Sequence, residues 1–151
     1  MEIEKFVIND NENVSTLLTN CTPYVLPHHP YIYWIMCEYF PSLCFVAKED
    51  DAIIGFVCSL HSTEKNSIFI WQLAVDNAYR QIGVAKLLCE KIINYSRSYG
   101  LNSIQMTINS ENVASVTFFS SLARQYGTSL KRIDLTGLDR FNDEIAYEIK
   151  L

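Results

Sequence analysis

The chain has 151 residues, 49% of them apolar and 19% charged, which suits one folded domain with a real core and excludes a disordered chain. A formal net charge of -5 at pH 7 argues against the basic stripe of a nucleic-acid-binding surface. The apolar runs stop well short of the ~18 residues of a membrane span. The opening MEIEKFVIND also lacks the basic-then-apolar order of a signal peptide, so no membrane is expected and the location read is cytoplasmic.

Residues 4–8 read as a short first strand, and Asn11 or Asn13 as the cap of a helix running to about Leu18. A Pro-punctuated loop follows over 21–27. His29-Pro30 then opens a second helix, with Pro30 at its first position, Tyr31, Trp34, Ile35 and Phe40 on the helical repeat, and Pro41 as its stop. Strands at 43–48 and 52–60, joined by the polar turn Glu49-Asp50-Asp51, read as a hairpin. Gly55 inside the second of them marks a bulge or a close backbone approach. A third strand, 67–75, leads into a long helix ended by Gly100. A strand at 103–108, a helix at 113–126 stopped by Gly127, and two strands at 129–135 and 145–149 complete the chain.

The order is therefore β-α-α-β-β-β-α-β-α-β-β, an α/β arrangement with a central mixed sheet and helices on both faces, as one domain over 1–151. The strand-helix-strand unit from 67 to 108 is expected to be a parallel crossover. Five cysteines form an odd set with no C-x-x-C pair, and four of them, in apolar contexts, read as small core hydrophobes rather than disulfides or metal ligands. His28, His29 and His61 show no ligand spacing, so no metal is expected.

The stretch FIWQLAVDNAYRQIGVAKLL, residues 69–88, carries the strongest chemical signal. An apolar strand ends at Val75, a short polar connection follows, and Arg80, Gly83 and Ala85 stand at R-x-x-G-x-A before a helix. The first N–H groups of a helix lack internal partners and lie at the positive end of its dipole, so this turn suits a phosphate. Gly83 and Ala85 let phosphates approach the backbone, and Arg80 adds a charge-assisted contact.

With NSENVASVTFF some thirty residues on, this stretch resembles the acetyl-CoA-binding core of the GNAT N-acetyltransferase superfamily. The first motif is matched by Arg80, Gly83 and Ala85, the second by Asn112, Ser115, Phe118 and Phe119. The resemblance implies a GNAT acyl-CoA N-acyltransferase fold and an acyltransferase moving the acetyl group of acetyl-CoA to an amine by direct attack. It implies that backbone groups of Leu73, Ala74 and Val75 pair with the pantetheine arm as an added strand, with Val75 as the catalytic donor toward the thioester oxyanion. The amides of Gln81, Ile82, Gly83, Val84, Ala85 and Lys86 would hold the pyrophosphate, with Asn112, Ser115 and Phe118 along the arm.

FIWQLAVD, YIYWIMC, INSENVAS, SLARQYG and DEIAYEIKL look, more narrowly, like the L-2,4-diaminobutyrate acetyltransferases of ectoine synthesis. That resemblance implies a small cationic, amino-acid-like amine as substrate. It places Trp71, Gln72, Tyr31, Tyr33, His29 and Glu144 on the substrate side, with Glu144 binding the ammonium or relaying its proton. The segment where that family has an Asp and an Asn-Ser pair reads Leu26-Pro27-His28-His29-Pro30 here, and Phe141 stands at its His position. Phe119 occupies the place of the usual acid Tyr; a thiol of pKa ~8.5 can leave as thiolate and be protonated by water. Two other readings stand beside this one: acetylation of an antibiotic or protein amine, and a non-catalytic acyl-CoA-binding module. A homodimer is the assembly considered, being the commonest closed one.

Overall fold

The computed structural model describes residues 1–141 and 143–151. Its elements are β1 (Glu2–Lys5), α1 (Asn11–Asn20), α2 (Pro30–Tyr39), β2 (Cys44–Glu49), β3 (Ala52–Ser62), β4 (Ser67–Val75), α3 (Val84–Ser98), β5 (Ser103–Asn109), α4 (Val113–Gln125), β6 (Leu130–Ile133) and β7 (Glu144–Lys150). The order matches the one read from the sequence. The first strand does not: it ends at Lys5, because Phe6 turns into the core and Ile8–Asp10 already forms a 3-10 turn leading to α1.

The starts of two helices have chemical causes visible in the chain. Pro30 sits in the first turn of α2, where a missing N–H costs nothing, and His29 Nδ1 accepts from Tyr31 N at 3.2 Å as the cap. Asn112 Oδ1 accepts from Ser115 N at 3.2 Å and caps α4.

The strands form one seven-stranded sheet in the order β1-β2-β3-β4-β5-β7-β6. Every pairing is antiparallel except β4 with β5, which the α3 crossover makes parallel. One face packs under α3 and α4, with Ile68, Ile70, Leu88, Ile92, Ile104, Met106 and Leu122 at its centre. The other packs under α1 and α2, around Phe6, Leu18, Tyr33, Phe56 and Ala74. Cys44 and Cys58 lie in that second core and Cys89 in the first, where burial pushes the Cys89 thiol up to about 12. Among the described residues no helix is long and apolar enough to cross a membrane.

Two irregularities in the sheet shape everything that follows. Ala47 pairs with Gly55 but Lys48 pairs with Ile53, so β3 bulges at Ile54. A Cβ on Gly55 would lie 2.7 Å from Val84 Cγ1 and 3.0 Å from Leu88 Cδ1. Gly55 is thus where the first turn of α3 presses onto the sheet, so the chain has both the bulge and the close approach that a glycine in this strand suggested.

The second bulge is at Trp71. Cys58 pairs with Gln72 and Ser59 with Ile70, leaving Trp71 without a partner on β3. An extra residue reverses the alternation of a strand. Ile68 and Ile70 therefore face α3 and α4, whereas Ala74 joins the core under α1 and α2.

Candidate active site

The parallel pairing of β4 with β5 ends at Ile70 with Met106. Beyond it β4 stays with β3, Leu73 opposite Val57 and Val75 opposite Gly55, while β5 stays with β7, Thr107 opposite Ala146 and Asn109 opposite Glu144. The two strands part like a wedge at their carboxyl ends. The β5-facing backbone groups of residues 71–75 lose their strand partners there, and an extended, amide-bearing arm can take their place. A cavity of about 70 Å³ lies in the wedge, with Ile70, Leu73, Met106, Ile108 and Phe119 as apolar walls. Its polar lining includes Asn109, Asn112, Ser115 and Glu144, and Tyr24, Val25 and Trp71 close one side.

The wedge opens toward the turn between β4 and α3. Asp76 Oδ1 accepts from Ala78 N at 2.8 Å and starts that turn. Arg80 Nε donates to the Val75 carbonyl at 3.4 Å, and Cys21 Sγ lies 3.6 Å from the same oxygen, so the end of β4 is held from two sides. Gln81 has φ 67° and Gly83, the cap residue of α3, has φ 94°. A non-glycine residue in the left-handed region costs of order 1–3 kcal/mol and is kept where a site needs it. Such alternation of backbone hand turns successive N–H groups toward one point, the geometry of an anion nest. Gly83 brings no side chain to cap the helix. Val84 is buried against Gly55 and fixes the first turn, while Ile82 and Arg80 stay exposed and Lys86 lies 3.9 Å from Glu90. The N–H groups of residues 83–86 precede the first intrahelical donor, Leu87, whose N–H reaches Gly83 O at 3.0 Å. The residues present therefore fit a diphosphate at the turn and an amide-bearing arm in the wedge.

At the inner end of the wedge the bulge sends Trp71 and Gln72 in different directions. Trp71 is 37% exposed and lines the cavity, with the His28 ring centroid 4.1 Å from its own. Gln72 is buried: its Oε1 accepts from Tyr33 Oη at 3.1 Å and its Nε2 donates to Leu26 O at 2.7 Å. Tyr33 Oη in turn accepts from His28 N at 3.0 Å. This buried chain of bonds moors the loop between α1 and α2 over the wedge. Tyr24 Oη ties the same loop to α4, donating to Glu111 O at 3.4 Å. Burial lowers the pKa of His28 below that of a free imidazole.

Glu144 begins β7, opposite Asn109, with its backbone pinned on both sides. Ser110 N donates to Asp143 O at 2.8 Å and Glu144 N to Phe141 O at 3.1 Å. It is half-buried and, among the described residues, is the sole acidic one of the wedge lining.

The structure brings together Trp71, Leu73, Asn112, Ser115 and Glu144 from the residues picked out in the sequence. It does not bring in all of them. Tyr33 is wholly buried and has no surface to offer a ligand; its part is to position Gln72, His28 and the loop. Tyr31 is 61% exposed and stacks on Trp34 at 5.8 Å, away from the cavity lining, and His29 is occupied as a helix cap. The histidine that reaches Trp71 is its neighbour, His28. Of the paired aromatics, Phe119 lines the wedge and Phe118 packs against the core. Tyr24, Val25, Thr107 and Asn109 were not singled out in the sequence. The two β5 residues carry a usable signal, since they stand where a crossover strand ends, and ligands of open sheets gather there.

The chain is similar to known proteins in sequence and in fold. The chain is 36% identical over 130 residues to the L-2,4-diaminobutyric acid acetyltransferase of Halalkalibacterium halodurans, a match covering 85% of this chain and 65% of that protein. It is 30% identical over 142 residues to the enzyme of the same name from Marinococcus halophilus, covering 93% and 81%. In fold it superposes with a TM-score of 0.87, at 24% identity and over 99% of this chain and 93% of the other, on the diaminobutyrate acetyltransferase EctA of Paenibacillus lautus, solved with L-2,4-diaminobutyric acid and coenzyme A. Residues 11–123, which hold the turn before α3 and the wedge lining other than Glu144, match the model of the acetyltransferase (GNAT) family, and the chain belongs to that family.

Proposed function

We propose that this chain is an acetyl-CoA-dependent N-acetyltransferase acting on a primary amine of a small, cationic, amino-acid-like substrate of the diaminobutyrate kind. The observation that carries the reading is the wedge itself. The two parallel strands part beyond Ile70 and Met106, the cavity between them is lined by a half-buried carboxylate and an aromatic ring, and the turn at Gln81 to Lys86 follows the end of β4. Acetyl-CoA supplies the activated acetyl group; the chain supplies place, orientation and proton traffic. Amides of residues 81–86 and the Arg80 guanidinium hold the diphosphate. Backbone groups of Leu73, Ala74 and Val75 hold the pantetheine arm, and a β4 amide, assigned to Val75, points a donor at the thioester oxygen.

Asn112 keeps its Oδ1 on the helix cap, which leaves the amide NH₂ for the arm. Glu144 attracts the substrate ammonium and passes one proton to water; the freed nitrogen would then bond to the acetyl carbon, shed a second proton to water and expel the thiolate as the carbon–sulfur bond breaks. Phe119 has no proton to give, so the thiolate is protonated by solvent. Trp71 walls the amine side, with His28 packed on it. In this reading the protein works in the cytoplasm, and a homodimer is its expected assembly.

Thiol release from acetyl-CoA tests the reading, with diaminobutyrate, ornithine, polyamines and an aminoglycoside offered as amines. Release with diaminobutyrate or ornithine, with the acetylated amine found by mass spectrometry, supports it. Release with the aminoglycoside alone, or with no amine at all while coenzyme A still binds, overturns it.

A further inference from the structure

Under α1 and α2, Cys44 of β2 stands directly opposite Cys58 of β3. The backbone bonds around them fix the kind of pair. Ser59 N donates to Leu43 O at 2.9 Å, and the Cys44 carbonyl turns the other way, accepting from Phe6 N at 3.0 Å. Cys44 and Cys58 therefore occupy a non-hydrogen-bonded position, where facing α-carbons are about 4.5 Å apart and the side chains approach most closely. A disulfide spans α-carbons roughly 4.4–6.8 Å apart, so the backbone is already placed for one. The two thiols are in hydrogen-bond contact, and both are buried. Cys37 of α2 is half-buried and packs on the same cluster, with its Sγ 3.9 Å from the Phe6 carbonyl.

The pair also adjoins the bulge that shapes the amine side of the wedge. Cys58 faces Cys44 on one side and Gln72 on the other, and Trp71, next to Gln72, is the residue without a partner on β3. Tyr33, whose hydroxyl donates to Gln72, belongs to the same cluster as the two thiols. Joining the sulfurs draws them from contact to about 2.05 Å. Next to the bulge, β3 has to absorb that contraction, and a packed interior passes it to Gln72 and Tyr33.

We propose that Cys44 and Cys58 are a site of oxidative modification, joined by peroxide into a cross-strand disulfide that weakens binding of the amine. Peroxide takes one thiol to a sulfenic acid and leaves as water; the facing sulfur then displaces the hydroxyl as a second water. Two thiols and one peroxide thus give one disulfide and two waters. Burial pushes the Cys58 and Cys37 thiols up, which keeps thiolate scarce and the first step slow. Once that step has occurred, the facing thiol is held at high effective concentration and traps the sulfenic acid. The part of the inference that concerns the amine rests on the acetyltransferase reading.

The experiment exposes the protein to hydrogen peroxide, removes the peroxide, and maps unreduced peptides by mass spectrometry. The expected product is a Cys44–Cys58 link with the loss of two hydrogens. It should persist in Cys37→Ala and vanish in Cys44→Ala and in Cys58→Ala. Sulfinic acid at either residue without a link, or a link made through Cys37, overturns the proposal. For the linked wild type, KM for diaminobutyrate should rise several-fold and return to its starting value with dithiothreitol, while coenzyme A affinity by calorimetry stays unchanged. Linked protein with an unaltered KM, or a rise that dithiothreitol does not reverse, overturns the coupling to the amine side. Failure of the acetyltransferase reading has a different signature, the absence of thiol release from the reduced protein with every amine, and leaves the peptide map to decide the modification.

Discussion

Gly55 offers the sharpest structural test, because it couples the sheet to the anion turn. In Gly55→Ala the new Cβ would sit 2.7 Å from Val84 Cγ1, 3.0 Å from Leu88 Cδ1 and 3.4 Å from Ala47 Cβ. Leu88 can swing its terminal methyl aside. Val84 cannot, since a β-branched residue in a helix has one strongly preferred χ1. The first turn of α3 must therefore lift until carbon atoms are again ~3.5 Å apart. Overpacking of this kind costs about 1–3 kcal/mol, from which about 0.4–1 kcal/mol is recovered because alanine restricts the unfolded chain. The net loss of about 1–2 kcal/mol corresponds to a fall in Tm of about 2–8 °C for a chain of this size. Gly83 directly precedes Val84, so the same lift moves the amides of the turn, and coenzyme A affinity should weaken several-fold. Calorimetry reads both quantities. The control is Gly55→Ala combined with Val84→Ala, which removes the clashing methyl: the pair should be less destabilised than the sum of the single changes by about 1 kcal/mol. Additive losses, or Gly55→Ala with unchanged Tm and unchanged coenzyme affinity, would refute the claim that this contact sets the turn.

Three other outcomes follow from the geometry. Gln72→Leu strips partners from the Leu26 carbonyl and the buried Tyr33 hydroxyl and should cost about 1–3 kcal/mol in denaturant unfolding, raising KM for the amine while coenzyme affinity holds. His28, depressed below its ordinary pKa of 6.5 by burial, binds its proton more readily in the unfolded chain. Stability is thus fully present above about pH 6.5 and is lost as pH falls through that value toward the folded pKa, and His28→Phe should remove this part of the slope. Arg80→Ala should weaken coenzyme A about tenfold, with the deficit shrinking at high salt if the contact is ionic.

How much of this could be read from the chain depended on whether a residue type marks the feature. The element order was legible because Pro30, Pro41, Gly100 and Gly127 punctuate it, and the turn before α3 because Gly83 marks the helix entry. The bulge at Trp71 carries no such mark. Strict alternation would put Gln72 on the face of Ile68 and Ile70; one unpaired residue moves it to the other face and changes what Tyr33 can touch. Adjacent histidines are also hard to separate, although Pro30 holds a clue. A proline in the first turn makes the preceding residue the cap, which engages His29 and leaves His28 for Trp71. A crevice lined by Phe69, Thr107, Leu138 and Phe141 joins residues as far apart as Lys65 and Arg140, and no local pattern announces it.

The central claim, that the parted strands and the turn after them hold the cofactor, is tested most directly by hydrogen exchange with and without coenzyme A. The account predicts that the amides of residues 73–75 and 81–86 slow markedly on binding, with the far ends of the sheet, at β1 and β6, unchanged. Saturating coenzyme A that protects neither segment would contradict it.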